Sequence, residues 1–196
     1  PNGVEAAYEI SITWWSAMAD CGIDPTHLQP ARFLMTQLLV LALPGVPAFY
    51  LPALLATPND LGRFRRTGQR RDLNRPQFKA DTVERRLQDP DSDATAVTSV
   101  LGHALRVRRD QPAMHPDAAM EVLSAGRSDL VMLRRRGGGQ TLVAVHNVTP
   151  SRLTLALGRL GGRKGLAWAD CLSGSSDAHS SQLQLDPYAV HRLIQA

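Results

Sequence analysis

The most apolar region of the chain runs from Phe33 to Ala56, and helix-breaking residues interrupt it. Its longest clean apolar run, Leu38–Leu43, is far shorter than the roughly 20 residues of a membrane-spanning helix. The region therefore predicts a buried helix from Pro30 to Leu43, followed after a Pro-Gly break by a short buried strand at Val46–Tyr50. A helix followed by a fully apolar strand is typical of an α/β protein whose parallel sheet is covered on both faces. The interrupting residues are Gln37, Pro44, Gly45, Pro47 and Pro52.

Residues 57–93 are polar and lack a clear periodicity. They open on the turn signal Thr57-Pro58-Asn59-Asp60, and a stretch of this kind is usually a functional or flexible loop. The next helix is predicted to begin after a cap at Ser92 or Asp93 and to end at Gln111-Pro112. Its apolar positions keep the spacing of one helix face: Val97, Val100, Leu101, Ala104 and Leu105.

From Ala119 onward the apolar pattern changes to a period of two, which indicates short antiparallel strands. Gly137-Gly138-Gly139 joins two of these segments and predicts a hairpin turn. We therefore predict two units: an α/β part over residues 1–118 and a small all-β, β-sandwich-like domain over residues 119–196. The alternating segments are Met120–Leu123, Leu130–Leu133, Thr141–Val148, Leu153–Leu157, Ala167–Leu172, Leu183–Leu185 and Ala189–Ile194.

The positive charge of the chain is concentrated in one segment. The 196 residues carry a formal charge of +4, but residues 63–86 hold nine basic against three acidic side chains, which leaves the remainder at −2. A nucleic-acid-binding protein normally spreads its basic charge over a larger surface, so we predict neither a nucleic-acid partner nor a membrane partner. The run Arg134-Arg135-Arg136 before the glycines predicts an exposed hairpin end.

Cysteine and histidine spacing gives no sign of a metal site, a cofactor or a disulfide framework. Cys21 and Cys171 lie far apart, and His103, His146 and His191 are interpreted as structural. No signal-peptide pattern is visible, so a cytoplasmic location is the expectation. Because the sequence does not begin with Met, we expect it to be part of a longer protein, and its oligomeric state is left open.

Five segments resemble glycoside hydrolase family 13, the α-amylase superfamily. Leu43–Tyr50 (LPGVPAFY) is similar to the last barrel strand of that family, Leu105–Met114 to the end of its eighth barrel helix, and Leu183–Val190 to the last strands of its C-terminal domain. Within the family, Ala7–Met18 resembles an active-site loop of the sucrose-phosphorylase subgroup. Thr67–Arg75 (TGQRRDLNR) resembles the Gly-Arg-Asp/Glu-Ile-Asn-Arg segment of the same subgroup.

The resemblance implies an α/β fold class, with the C-terminal end of a (β/α)₈ TIM barrel followed by a small antiparallel β domain. It also implies that the nucleophilic Asp, the acid/base Glu and the third catalytic Asp of the family lie upstream of residue 1. We therefore expect no catalytic residue in this chain, and no activity from it alone. The whole protein would be a glycosyltransferase of carbohydrate metabolism that moves glucosyl from a small α-glucoside to inorganic phosphate with retention of configuration.

The same resemblance nominates the binding residues. Arg71 takes the position of the phosphate- or acceptor-contacting arginine, a role that suits a guanidinium because it can form bidentate contacts with an anion. Tyr8 and Glu9 match the loop on the acceptor side, and Glu9 replaces the Gln of sucrose phosphorylases, which favours a glucosylglycerate or glucosylglycerol donor over sucrose. Asn59 and Asp60 follow the last barrel strand, where the loops of TIM barrels build their sites.

Two other readings of the chain remain open at this point. The whole protein could be an amylase-type hydrolase or transglycosylase that uses water or a sugar as acceptor, or the chain could be a non-catalytic carbohydrate-binding β module. Trp14 and Trp15 could stack on sugars, but a tryptophan pair at the start of a helix more often packs against a core, which is the prediction here.

Overall fold

The computed structural model describes residues 9–19, 26–162, 166–174 and 181–195. The first half is helical and the second half is built of strands. The α-helices are α1 (Trp14–Ala17), α2 (Gln29–Val40), α3 (Leu51–Leu54), α4 (Leu61–Thr67), α5 (Ala80–Gln88) and α6 (Asp93–Asp110), with single 3₁₀ turns at Thr26–Leu28, Arg70–Leu73, Pro112–Met114 and Leu157–Leu160. The strands are β1 (Ala119–Leu123), β2 (Leu130–Gly137), β3 (Gln140–Asn147), β4 (Leu153–Ala156), β5 (Trp168–Asp170), β6 (Gln182–Leu185) and β7 (Val190–Gln195).

Helix α2 confirms the helix predicted in the apolar region. Pro30 lies in its first turn, where a missing N–H costs nothing. Its buried side chains include Phe33 and Leu38, and Phe33 meets Trp15 edge to face with ring centroids 5.1 Å apart. Trp15 is therefore a core residue, as predicted, whereas the same prediction is wrong for the neighbouring Trp14, which is 48% exposed.

The strand predicted at Val46–Tyr50 is not formed. The segment belongs to no helix or strand, Val46 is 83% exposed and Tyr50 is 60% exposed. A parallel strand exists only through hydrogen bonds to its neighbours, and among the described residues no strand lies beside this segment to supply them.

The polar stretch 57–93 was expected to be a loop, and it instead contains α4, α5 and the turn Arg70–Leu73. Neither helix has a buried residue, which is why no apolar periodicity marked them. Capping residues define the ends of α4. Asp60 caps its start by accepting from the Arg63 N–H at 2.7 Å, and Gly68 ends the helix in the left-handed region at φ +68°.

Helix α6 begins as predicted, because the Ser92 hydroxyl accepts from the Thr95 N–H at 3.1 Å. Its predicted apolar face supplies Val97, Leu101 and Ala104 to the core that it shares with α2. At 18 residues it is the longest helix in the described part of the chain. No described helix combines the length and apolar character that a membrane crossing requires.

All seven segments that were predicted from the period of two contain a strand. Five of the strands form an antiparallel sheet in the order β1-β2-β3-β7-β5, and β4 pairs with β6 in a second sheet. Gly138 and Gly139 turn β2 into β3 with φ values of +55° and +77°. Side chains of the two sheets enclose an apolar core that includes Met132, Val143, Val145, Leu155, Leu185 and Leu193.

The other face of the five-stranded sheet packs against the helical half. Ala42, Ala113 and Met114 meet Leu133 and Leu142 there. The sheet is consequently covered on both faces at its centre.

Three arginines of this interface form what we call the arginine cap: Arg108 of α6, Arg135 of β2 and Arg192 of β7. Their guanidiniums donate to backbone carbonyls at and beyond the C-terminal end of α2. Such carbonyls have no partner within the helix and carry the negative end of its dipole. The prediction of an exposed arginine run is therefore wrong for Arg135, whose exposure is 0%, and also for Arg134, whose side chain is 14% exposed. The carbonyls belong to Leu38, Leu41, Ala42, Leu43 and Gly45 for α2 and its exit, and to His115 and Ala118 beyond α6.

Candidate functional site

Asn59 links the loop before α1, which carries Glu9, to the polar stretch that carries Arg71. Its side-chain oxygen accepts from the Thr13 N–H at 2.8 Å, and its own N–H donates to the Ser16 hydroxyl at 2.9 Å. Thr13 is also the N-cap of α1. The loop before α1 is thus fastened to the start of the polar stretch, 46 residues away.

Arg71 and Glu9 meet on the surface created by this connection. Arg71 Nε donates to Glu9 Oε1 at 3.1 Å across 62 residues of sequence. The side chains are 57% and 46% exposed, so the contact by itself contributes little stability. The two terminal nitrogens of Arg71 have no hydrogen-bond partner in the described part of the chain. They remain available for a bidentate contact with an anion.

The 3₁₀ turn that carries Arg71 is held at its ends. Leu73 accepts from the Asp60 N–H at 2.8 Å, and Asp72 pairs with Arg63 at 3.0 Å. Hydrogen bonding from the Thr67 hydroxyl and then from Arg63 lowers the pKa of Asp72. Asp72 is therefore ionised at neutral pH. It holds the turn in place by pairing with Arg63, and it does not bind the guanidinium of Arg71.

The surface around Arg71 is cationic. Among the described residues, ion pairs engage two of the nine basic side chains of residues 63–86, Arg63 and Arg71. The Arg86 guanidinium donates to the Leu55 carbonyl at 2.6 Å. Such an excess of positive charge attracts anions.

The sequence-predicted site residues have different positions in the structure. Glu9, Asn59, Asp60 and Arg71 lie on connected segments, whereas Tyr8 lies outside the described residues. Asn59 joins two backbone segments and Asp60 caps a helix, so a ligand contact by either stays a prediction.

Sequence reasoning did not single out Asn74. Its side-chain oxygen is buried with no hydrogen-bond partner in the described structure, and the residue lines a cleft of about 280 Å³ together with Trp14 and Tyr50. Trp14 is held there by donating from Nε1 to the Thr36 hydroxyl at 2.8 Å. The only signal in the sequence was the position of Asn74 within the segment Thr67–Arg75.

Comparison with known proteins identifies the family. No family model matches the chain. The glucosylglycerate phosphorylase of Allomeiothermus silvanus is 34% identical over 150 residues, which are 76% of this chain and 26% of that protein. The glucosylglycerate phosphorylase of Escherichia coli K12 is 27% identical over 190 residues, or 97% of this chain and 33% of that protein. In fold, the trehalulose synthase of Pseudomonas mesoacidophila MX-45 matches with a TM-score of 0.57 at 15% identity, over 85% of this chain and 38% of that one. The chain belongs to glycoside hydrolase family 13.

This family 13 chain spans about a quarter to a third of the length of these curated relatives. Three carboxylates near Arg71 in the described part of the chain are engaged with donors: Glu9 binds Arg71, Asp72 binds Arg63, and Asp60 caps α4. Retaining family members need two carboxyl groups about 5 Å apart that face the glycosidic bond. We therefore assign no catalytic role to any of these three.

Proposed function

We propose that this chain is the C-terminal part of a retaining α-glucosyl phosphorylase. Residues 1–118 would complete a (β/α)₈ barrel, and residues 119–196 would form the β domain behind it. The unpaired segment Val46–Tyr50 would become the last barrel strand when upstream strands are beside it. Its exposed apolar side chains support this assignment, because a strand buried on both faces needs such residues.

The contact between Glu9 and Arg71 carries the proposal. These residues come from the two segments that resemble the phosphorylase subgroup, and the fold brings them within 3.1 Å. A phosphorylase must bind a phosphate dianion beside a carboxylate-rich centre. Arg71 can provide this binding through its two unpartnered nitrogens, while Glu9 holds its Nε and fixes the plane of the guanidinium.

The reaction proposed for the whole protein has two steps. A carboxylate upstream of this chain displaces the acceptor alcohol from the anomeric carbon, and an upstream acid gives that alcohol its proton. A phosphate oxygen then attacks the anomeric carbon, the bond to the enzyme carboxylate breaks, and α-glucose 1-phosphate leaves. The part of this chain is to hold phosphate or the acceptor in line for these displacements.

The acceptor released in the first step is proposed to be glycerate. Two points support it: the relatives named above are glucosylglycerate phosphorylases, and Glu9 departs from the Gln that the resemblance assigns to this position in sucrose phosphorylases. A glycerate carboxylate would share the guanidinium of Arg71 with Glu9. The small α-glucoside and phosphate are thus the proposed substrates.

The decisive experiment measures α-glucose 1-phosphate formed from glucosylglycerate by the complete protein, with and without inorganic phosphate. We expect product only with phosphate. Release of free glucose at the same rate without phosphate would support a hydrolase instead. If the complete protein binds sugar without turnover, a binding module is the better description.

Arg71→Lys in the complete protein tests the role of the arginine. Because lysine keeps the charge but loses the planar fork, the apparent KM for phosphate or glycerate should rise about tenfold or more. Arg70→Lys, one residue earlier on the same turn, is the matched control and should change it less than about twofold. Equal effects of the two substitutions would contradict the assignment.

A further inference from the structure

A cavity of about 600 Å³ lies between helix α6 and the β domain. One wall is α6, through Ser99, Val100 and His103. The opposite wall comes from the ends of β5 and β6 and the start of β7. Glu9 and Arg71 do not line it, so it is separate from the site proposed above. Its volume falls in the range of small-molecule sites.

A buried aspartate paired with a partly exposed histidine forms the polar end of this cavity. Asp170 is 7% exposed; it accepts from the Leu172 and Arg192 N–H groups at 3.1 and 2.8 Å, and from His191 Nδ1 at 2.9 Å. Burial opposes ionisation, but the hydrogen bonds from His191 and the backbone prevail and lower the pKa of Asp170. The carboxylate is therefore charged and keeps the proton of His191 on Nδ1. In the neutral imidazole this tautomer leaves Nε2, which has no partner in the described part of the chain, as an acceptor.

The remaining lining of the cavity combines neutral polar groups with apolar ones. The Ser99 hydroxyl has no partner in the described structure, and Gln184 uses its oxygen for Thr154, which leaves its amide nitrogen as a donor. Val100 and Leu172 supply apolar surface between these groups. This alternation of hydroxyl-sized polar partners and aliphatic carbon matches a sugar or polyol.

The charges of the lining select against anions. The lining includes Asp170 and Asp186 and contains neither Lys nor Arg among the described residues. Asp186 is already paired with Arg152 at 2.7 Å outside the lining. A phosphorylated or carboxylated ligand would find no guanidinium or ammonium group in contact, in contrast to the surface around Arg71.

We propose that this cavity is a second ligand site that takes a neutral polyhydroxylated molecule of mono- or disaccharide size. His191 Nε2 accepts a hydrogen bond from one hydroxyl, and Ser99 and Gln184 hold others. Asp170 is a positioning residue that fixes the tautomer and the ring of His191.

The test titrates the full 196-residue chain with maltose and follows the imidazole resonances of His191 by NMR. We expect saturable shifts with maltose and none with glucose 1-phosphate. Val100→Trp, which fills the cavity from a position that is 38% exposed, should weaken maltose binding at least about tenfold. Leu105→Trp is the matched control, because it introduces the same side chain on the same helix at 37% exposure outside the lining.

Several results would overturn the proposal. They are the absence of saturation by maltose, equal binding of the anionic sugar, and equal loss of binding in the two tryptophan variants. The resonances of the unmodified chain give an answer that does not depend on any variant folding. None of these outcomes depends on phosphorolysis, so this site and the proposed function can fail separately.

Discussion

Replacing Arg135 by Met should remove a large fraction of the stability of this chain. The side chain is fully buried and donates to the carbonyls of Ala42, His115 and Ala118 at 3.0, 2.7 and 3.2 Å. Methionine has a similar length but no donor, so the carbonyls of Ala42 and Ala118 lose this partner, whereas that of His115 keeps the Ala118 N–H at 3.0 Å. A buried polar group without a hydrogen bond costs about 1–3 kcal/mol. Taking the low end for each of these two carbonyls gives a loss of about 2 kcal/mol in the free energy of unfolding.

Urea denaturation followed by tryptophan fluorescence and circular dichroism measures this loss. With an m-value of about 2 kcal/mol/M, the midpoint should fall by about 1 M. Arg136→Met is the matched control in the same strand: that side chain is 58% exposed, it lies 3.7 Å from Glu121, and its replacement should cost less than about 1 kcal/mol. If the two variants unfold at the same urea concentration, the reasoning about the arginine cap is refuted.

Two further predictions concern the hairpin turn and a buried histidine. Gly138→Ala should destabilise the chain by about 2 kcal/mol in the same assay, because φ is +55° and a Cβ would lie 2.6 Å from that of Pro112. Gly139→Ala, with φ +77° and open space around it, should cost about 1 kcal/mol, and an equal cost would count against the steric argument. Burial, and then the nearby Arg192, lowers the pKa of His146 well below its ordinary value of 6.5. Below pH 6.5 the unfolded chain therefore binds a proton at His146 that the folded chain does not bind. The free energy of unfolding should fall by about 1.4 kcal/mol for each pH unit below 6.5 until the folded pKa is reached. His146→Gln should flatten that dependence in urea midpoints measured between pH 7 and pH 5, and an unchanged slope would contradict it.

The parts of the fold that were predictable from sequence are those that depend on local patterns. The seven strand segments follow a period of two, and α6 is marked by the Ser92 cap and by its apolar face. The segment Val46–Tyr50 has the composition of a buried strand, but its pairing depends on neighbours that sequence composition does not supply. The helices α4 and α5 bury no side chain, so no periodicity revealed them.

Only those residues of the candidate site that lie in recognisable motifs could be predicted from the sequence. Arg71 and Glu9 were nominated by resemblance, and their direct contact is a tertiary fact that neither segment contains by itself. The sequence predicts Asn59 beside the binding site, whereas the contacts that it makes in the structure are with the backbone N–H of Thr13 and the hydroxyl of Ser16. Asn74 was missed because a single buried amide oxygen has no sequence signature.

The arginine cap also makes the completion of helix α2 depend on residues that are synthesised much later. The carbonyl of Leu38 receives its partner from Arg192, 154 residues later and close to the end of the sequence. Burial lowers the pKa of Arg192 to about 10, so it still arrives as a cation at neutral pH. During synthesis, helix α2 must therefore wait for β7 before its C-terminal end is complete. A protein cut at residue 118 would lose Arg135 and Arg192, two of the three arginines that close that helix, so the helical half should depend for its own completion on strands made after it.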